Sequence, residues 1–378
     1  MAALLALLPL ALSPVSPQGE PTDAEALRAQ RLEEGWRLQD STWIPPDEVA
    51  KLDQGLWKCG DAWLTLTEAN AYHAELDQWW SIPGEKTVLH TTLAREVAEK
   101  ALAGIEDAYV DLVRLFGAEP ARAPEVLVLN SREQFLAFTG GKLEEFQPGK
   151  SYGFGQLLHG AYFADNWFGA DGLPLARGVA YWAVGDDKDA YFGPLWTRHA
   201  LGQAFVERFD PSPEALEKLA ELRADEKEVG FEWAQVFWED KAIPQWFRTG
   251  AAAYVERYYV DRTVTDEGDP LWARRWSVQN IQNKGGFDGV ERVLEGGLRL
   301  DQVEASQKWI NQCGLLVAFV LDGENKNVTK AHAKLVTALG KFAAKPDKKN
   351  RKGLEKAFKG LGKALDKESK ALEAFAGL

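Results

Sequence analysis

Residues 198–209 read RHALGQAFVERF. A hydrolytic zinc site can take two imidazoles from one helix, four residues apart, because that spacing puts both on one face. A glutamate beside the first imidazole activates the metal-bound water, and a third ligand, another carboxylate, comes from a later helix. His199 stands where the first imidazole would be, but the position of the base is Ala200 and that of the second imidazole is Gln203. Ala cannot take a proton, and an amide oxygen is a weak donor to zinc. Catalytic zinc sites use three protein ligands, so one imidazole does not hold the metal against water. Without the metal no water is acidified and no carbonyl is polarised. The remaining histidines, His73, His90, His159 and His332, are scattered, and none has a partner four residues on.

A second stretch, IPQWFRTGAAAYVERYY at 243–259, has Pro244 near a helix start, then a Trp, a Gly and an aromatic run. Taken together, RHALGQAFVE and PQWFRTGAAAYVE resemble the gluzincin-type, peptidase-MA-like (zincin) proteins. Their two helices read approximately H-E-x-x-H-x-h and P-x-W-h-x-E-G-h-A-x-Y-h-x, with h apolar. Pro244, Trp246, Gly250, Ala252 or Ala253, Tyr254 and Val255 fit the second pattern, and Thr249 stands where the third ligand would be. The resemblance extends over roughly three-quarters of the chain, from residue 87 to the C-terminal helices. It implies the zincin-like α+β fold, a small mixed sheet followed by a mostly helical half. It also implies that the metal-site positions, His199, Ala200, Gln203 and Thr249, are vestigial, with no catalytic residue, metal or cofactor. An alternative set, His199, Glu207 and Glu256, would place relocated ligands on the same helices. The plainer reading of those glutamates is pairing with Arg208 or Arg257 at the surface.

These residues need elements to position them. Residues 87–92, TVLHTT, alternate and are β-branched, which predicts a strand. Residues 93–116 carry Leu93, Val97, Ala101, Ile105, Ala108, Leu112 and Leu115 at helical spacing. EVLVLN at 125–130 predicts a second strand, and Ser131 with Glu133 and Gln134 predicts a helix start. GAYFAD at 160–165 and GVAYWAV at 178–184 predict two more strands. From Pro194 onward the pattern is helical, so strands precede helices, an α+β order rather than a βαβ relay. In the tail, Leu354, Phe358, Leu361, Leu365, Leu372 and Phe375 mark one amphipathic helix with Glu368 interrupting it.

Ahead of this core lies an internal repeat at a spacing of 20 residues: Gly35 matches Gly55, Trp43 matches Trp63, Ile44 matches Leu64 and Glu48 matches Glu68. Each unit predicts a short hairpin with a Trp on its second strand. The chain divides into a signal peptide (1–20), a lead-in helix with the Trp-rich repeat module (21–84), the peptidase-like core (85–262) and a helical C-terminal part with a basic tail (263–378). The apolar run Ala2–Leu12 is too short to span a bilayer and suits an export signal, so the protein is expected outside the cytoplasm, periplasmic or extracellular. The two cysteines, Cys59 and Cys313, allow one disulfide or two buried thiols.

The net charge of −13 argues against nucleic acid as a partner, and no stretch is long enough for a membrane span. Charge is uneven: residues 341–370 hold eleven Lys or Arg against four Asp or Glu. The leading expectation is a non-catalytic pseudopeptidase that binds a peptide or protein in the vestigial cleft. The edge strand at 160–165 would pair with the ligand, and Tyr162, Trp196, Trp246 and Tyr254 would line the cleft. A second expectation is a cell-envelope glycan bound on Trp43 and Trp63; a third is a metallohydrolase with relocated ligands.

Overall fold

The computed structural model describes residues 23–120, 122–139, 177–183, 192–209, 242–265, 268–297 and 303–377. Within them the protein is mixed α+β, in two compact units that divide between Leu66 and Thr67. The expected signal peptide and the strand at 160–165, with Tyr162, lie outside the described residues.

The first unit opens with helix α1 (Asp23–Glu33), followed by strands β1 (Arg37–Gln39) and β2 (Thr42–Ile44). Helix α2 (Val49–Asp53) and strands β3 (Trp57–Cys59) and β4 (Ala62–Leu64) repeat the pattern. Both hairpins are antiparallel, and every paired position of the second lies 20 residues after its counterpart in the first. Each helix ends at the repeated glycine, Gly35 or Gly55, at φ +86° and +76°. That left-handed backbone suits glycine and turns the chain from helix into hairpin. Gln39 ties the hairpins together, donating to Leu56 O and accepting from Lys58 N.

In the second unit, after α3 (Leu66–His73), strands β5 (Trp80–Pro83), β6 (Val88–Thr91), β7 (Glu125–Leu129) and β8 (Arg177–Tyr181) form one sheet in that order. Trp80–Pro83, placed by sequence with the repeat, is therefore the sheet's edge strand, antiparallel to β6. β6, β7 and β8 are mutually parallel. The strands-then-helices expectation is corrected here: helix α4 (Arg95–Phe116) makes a βαβ crossover between β6 and β7. Parallel neighbours require such a connection, and α4 supplies it with an apolar stripe from Ala98 to Phe116. Helix α5 (Arg132–Thr139) follows β7, and Ser131 Oγ accepts from Gln134 N at 3.2 Å, as its sequence suggests.

The remaining described chain is helical: α6 (Gly193–Phe209), α7 (Gln245–Ala253) continuing as a π-helical segment (Tyr254–Tyr258), α8 (Trp272–Asn283), α9 (Val290–Glu295), α10 (Val303–Asp322), α11 (Lys326–Ala344), α12 (Lys348–Lys367) and α13 (Ser369–Ala376). The single tail helix expected from sequence is thus two. The break falls at Glu368, whose carboxylate accepts from Asn325 and Asn327 instead of continuing the apolar stripe. Leu354, Leu361, Leu365 and Leu372 are buried, so the tail packs onto the body. Cys59 and Cys313 are both buried, and neither is part of a disulfide. No helix among the described residues is long and apolar enough to cross a membrane.

Candidate functional site

α6 is buried along nearly its whole length, including its polar residues Arg198, His199 and Gln203. A helix covered on all sides must match each polar group internally. On one side it meets β8, where a Cβ at Gly178 would overlap the Ala200 carbonyl. On the other it crosses α7, where a Cβ at Gly202 would collide with Ala252. α7 in turn lies against α10, because Gly250 lets Cys313 O come within 2.7 Å of where a Cβ would be. The small residues that carry the second sequence pattern are therefore contact points between helices. Pro244, in extended backbone, precedes the first turn of α7, where a missing N–H costs nothing.

His199 Nδ1 lies 2.8 Å from Glu256 Oε2, and its Nε2 lies 3.2 Å from Gln203 Nε2. The imidazole thus donates to the carboxylate and accepts from the amide. Glu256 Oε1 accepts from Arg257 Nε at 2.5 Å. His199, Glu256 and Arg257 are all buried, with Glu256 fully inaccessible. Arg257 also lies over the ring of Trp276, 4.5 Å from its centroid. Glu256 and Arg257 sit in the π-helical segment, whose wider turn brings the carboxylate to α6.

The helix register decides which predicted residues meet. His199 pairs with Glu256, Gly202 abuts Ala252, and Glu207 pairs with Arg248. These pairs run antiparallel, which puts Thr249 level with Val206, beyond Gly202, and not beside His199. Thr249 is buried, and its Oγ1 has no hydrogen-bond partner. Of the four positions that the resemblance marks as a former metal site, His199 and Gln203 are in contact, Ala200 faces the sheet, and Thr249 stands apart. The relocated set is likewise corrected: Glu256 reaches His199, but Arg248 draws Glu207 away. The expected surface pairs also change. Glu256 does pair with Arg257, in the interior, while Arg208 binds Glu125 at 3.1 Å. Among the described residues no three or more His, Cys, Asp or Glu side chains are grouped so as to hold a metal ion. The Arg257 guanidinium already occupies the neighbourhood of the one available carboxylate, and a divalent cation there would be repelled by it.

The expected cleft aromatics also have fixed places. Trp196 is fully buried, 4.6 Å from the Tyr181 ring and stacked on Phe192. Tyr254 donates to Asp322 at 3.1 Å and accepts from Arg114 at 2.6 Å. Burial, and then the Asp322 charge, hold its hydroxyl far above the usual phenol range. Both belong to packing. Trp246 differs: with Ala242, Pro244, Leu294 and Phe358 it lines a cavity of about 550 Å³ between the start of α7, α9 and α12. Glu291, Glu355, Asp366, Lys359 and Lys363 also border it. In the first unit Trp43 lies under Arg31 at 5.3 Å, and Trp63 under Lys51 and Lys58 at 5.3 and 5.4 Å. Trp63 also donates to Glu48.

Two polar clusters were not legible from spacing. Ser81 Oγ lies 3.0 Å from His90 Nδ1, and His90 Nε2 lies 3.0 Å from Glu125 Oε2, across three neighbouring strands. Only strand register reveals that chain. Asp107 and Asp111 on α4 receive Arg198 and Arg262. Burial raises the Asp111 carboxyl above its ordinary range, against the opposing pull of Arg262 and Arg114. The chain matches no protein-family model, no curated protein and no solved structure.

Proposed function

We propose that this is a non-catalytic binding protein, a degenerate relative of the peptidase-MA-like proteins, that holds a polypeptide segment by one apolar side chain in the Trp246 cavity. The observation that carries the reading is the contrast between two places on α7. At its C-terminal end, the α6 contact is filled by His199, Gln203, Glu256 and Arg257, all buried and mutually bonded. At its N-terminal end, Trp246 and Phe358 wall a cavity of about 550 Å³, a volume in the range of ordinary ligand sites. Aromatic walls with charges around the rim suit a buried anchor side chain and a solvated peptide backbone.

The experiment is retention of the folded full-length protein on a peptide array, repeated with Gly362→Trp. Gly362 borders the cavity, and a Cβ there meets only the end of Leu294 at 2.9 Å, so the indole enters the cavity. Binding to peptides with an aromatic or long aliphatic residue, weakened about tenfold by the indole, is the expected result. No retention on any peptide, or equal retention by the variant, would overturn the reading. The glycan reading on Trp43 and Trp63 gains nothing comparable, since cations of the same unit already lie over those rings. A metallohydrolase reading has only two of its three ligands together.

A further inference from the structure

A second cavity, of about 500 Å³, lies between α11 and α12, away from the site proposed above. Lys330, Lys334 and Lys341 of α11 and Lys356 of α12 line it, and among the described residues no Asp or Glu does. The α11 lysines share one helix face at spacings of four and seven residues, and the row is about 16 Å long at the α-helical rise. Among the described residues, none of the four ammonium groups has a carboxylate within ion-pair distance. Nearby, Lys345 just past the end of α11 and Arg351 on α12 do have acidic partners. The floor is made of small residues, Gly353, Ala357 and Gly360 among them. A Cβ at Gly353 or Gly360 would meet nothing within 4 Å, so packing does not demand glycine at either position. Glycine inside a helix costs about 1 kcal/mol relative to alanine. Here it keeps the floor open beneath converging positive charge.

We propose that this groove binds a free, elongated oligophosphate, an anion carrying three or more linked phosphate groups. The lining selects that chemistry. Four like charges in one concavity raise the local concentration of a multivalent anion and are relieved by it. Lysine ammonium binds phosphate as a point charge, and no arginine fork for paired carboxylate recognition lines the groove. Among the described residues no aromatic ring lines it either, so they offer a nucleobase no stacking surface. A membrane would meet only the rims of a concave floor, whereas a narrow linear anion can enter it.

The test is calorimetric titration of the full chain with inorganic tripolyphosphate at low and high salt. Alongside it go Lys334→Ala with Lys356→Ala, Lys367→Ala with Lys370→Ala, and Gly353→Leu with Gly360→Leu. The proposal expects salt-sensitive binding, weakened about tenfold or more by the first pair and little changed by the second, which removes the same charge outside the lining. It expects loss of binding in the leucine pair, whose net charge is unchanged and whose helix is, if anything, more stable. Equal weakening by both lysine pairs, or full binding by the leucine pair, would show diffuse attraction and overturn the groove. Absence of tripolyphosphate binding, with capture of anionic phospholipid vesicles or of poly-glutamate instead, would overturn the assignment to a free oligophosphate.

Discussion

At the scale of single residues, Glu256 decides what the α6–α7 contact is. Its carboxylate accepts from His199 and Arg257 with no exposure to water. Removing one partner of a buried charged pair leaves the other uncompensated, a cost of about 3–5 kcal/mol. Glu256→Ala should therefore lower the free energy of unfolding by that amount in urea denaturation, and a loss below about 1 kcal/mol would deny the carboxylate its bracing role. Sequence marked His199 and Gln203 through their four-residue spacing, and both belong to the cluster. It named Glu256 as a relocated ligand or, more plainly, a surface partner of Arg208 or Arg257, and assigned the third position to Thr249. The reason is geometric. Motif spacing states which residues share a face of one helix, whereas the register between two helices depends on where small residues let them touch.

At the scale of elements, the glycines set those distances. Gly250 admits α10, Gly202 admits α7, and Gly178 admits α6 against the sheet. Gly250→Ala puts a methyl against Cys313 O and Val317, both 2.7 Å from the added carbon. Overpacking of this kind costs about 1–3 kcal/mol, so thermal unfolding should shift downward while far-UV circular dichroism keeps its native shape. An unchanged melting temperature would mean that α7 and α10 are not in close contact. Periodicity located β6, α4, β7 and β8 to within a few residues, because each is a run of buried apolar positions. The parallel pairing of those strands was not legible, since pairing partners are distant in sequence. The two hairpins pair at positions 20 residues apart, and that spacing could be read from sequence because each is closed by its own turn.

At the scale of the whole molecule, pH dependence follows from a histidine that binds no ligand. His332 Nε2 donates to Leu115 O at the end of α4, 2.7 Å away. Burial depresses its pKa below the ordinary 6.5. The unfolded chain therefore binds the proton more readily than the folded one. Stability is full above about pH 6.5 and falls as pH drops toward the folded value. His332→Gln, which keeps an N–H donor, should flatten that part of the stability–pH curve; an equally steep decline in the variant would assign the effect elsewhere. Charge is also divided at this scale. Residues 341–370 are strongly basic within a chain of net charge −13. Composition showed that asymmetry, but only the pairing of α11 with α12 converts part of it into a lined groove.

α6 and α7 are joined by a buried polar cluster of His199, Gln203, Glu256 and Arg257, and on the reading proposed above no metal is held there. Elemental analysis after equilibration with zinc and exhaustive dialysis tests it most directly. The expected result is zinc well below one equivalent, about a tenth or less per chain, unchanged in His199→Ala. One tightly held zinc per chain, lost in His199→Ala, would overturn that reading and favour a metal-dependent one.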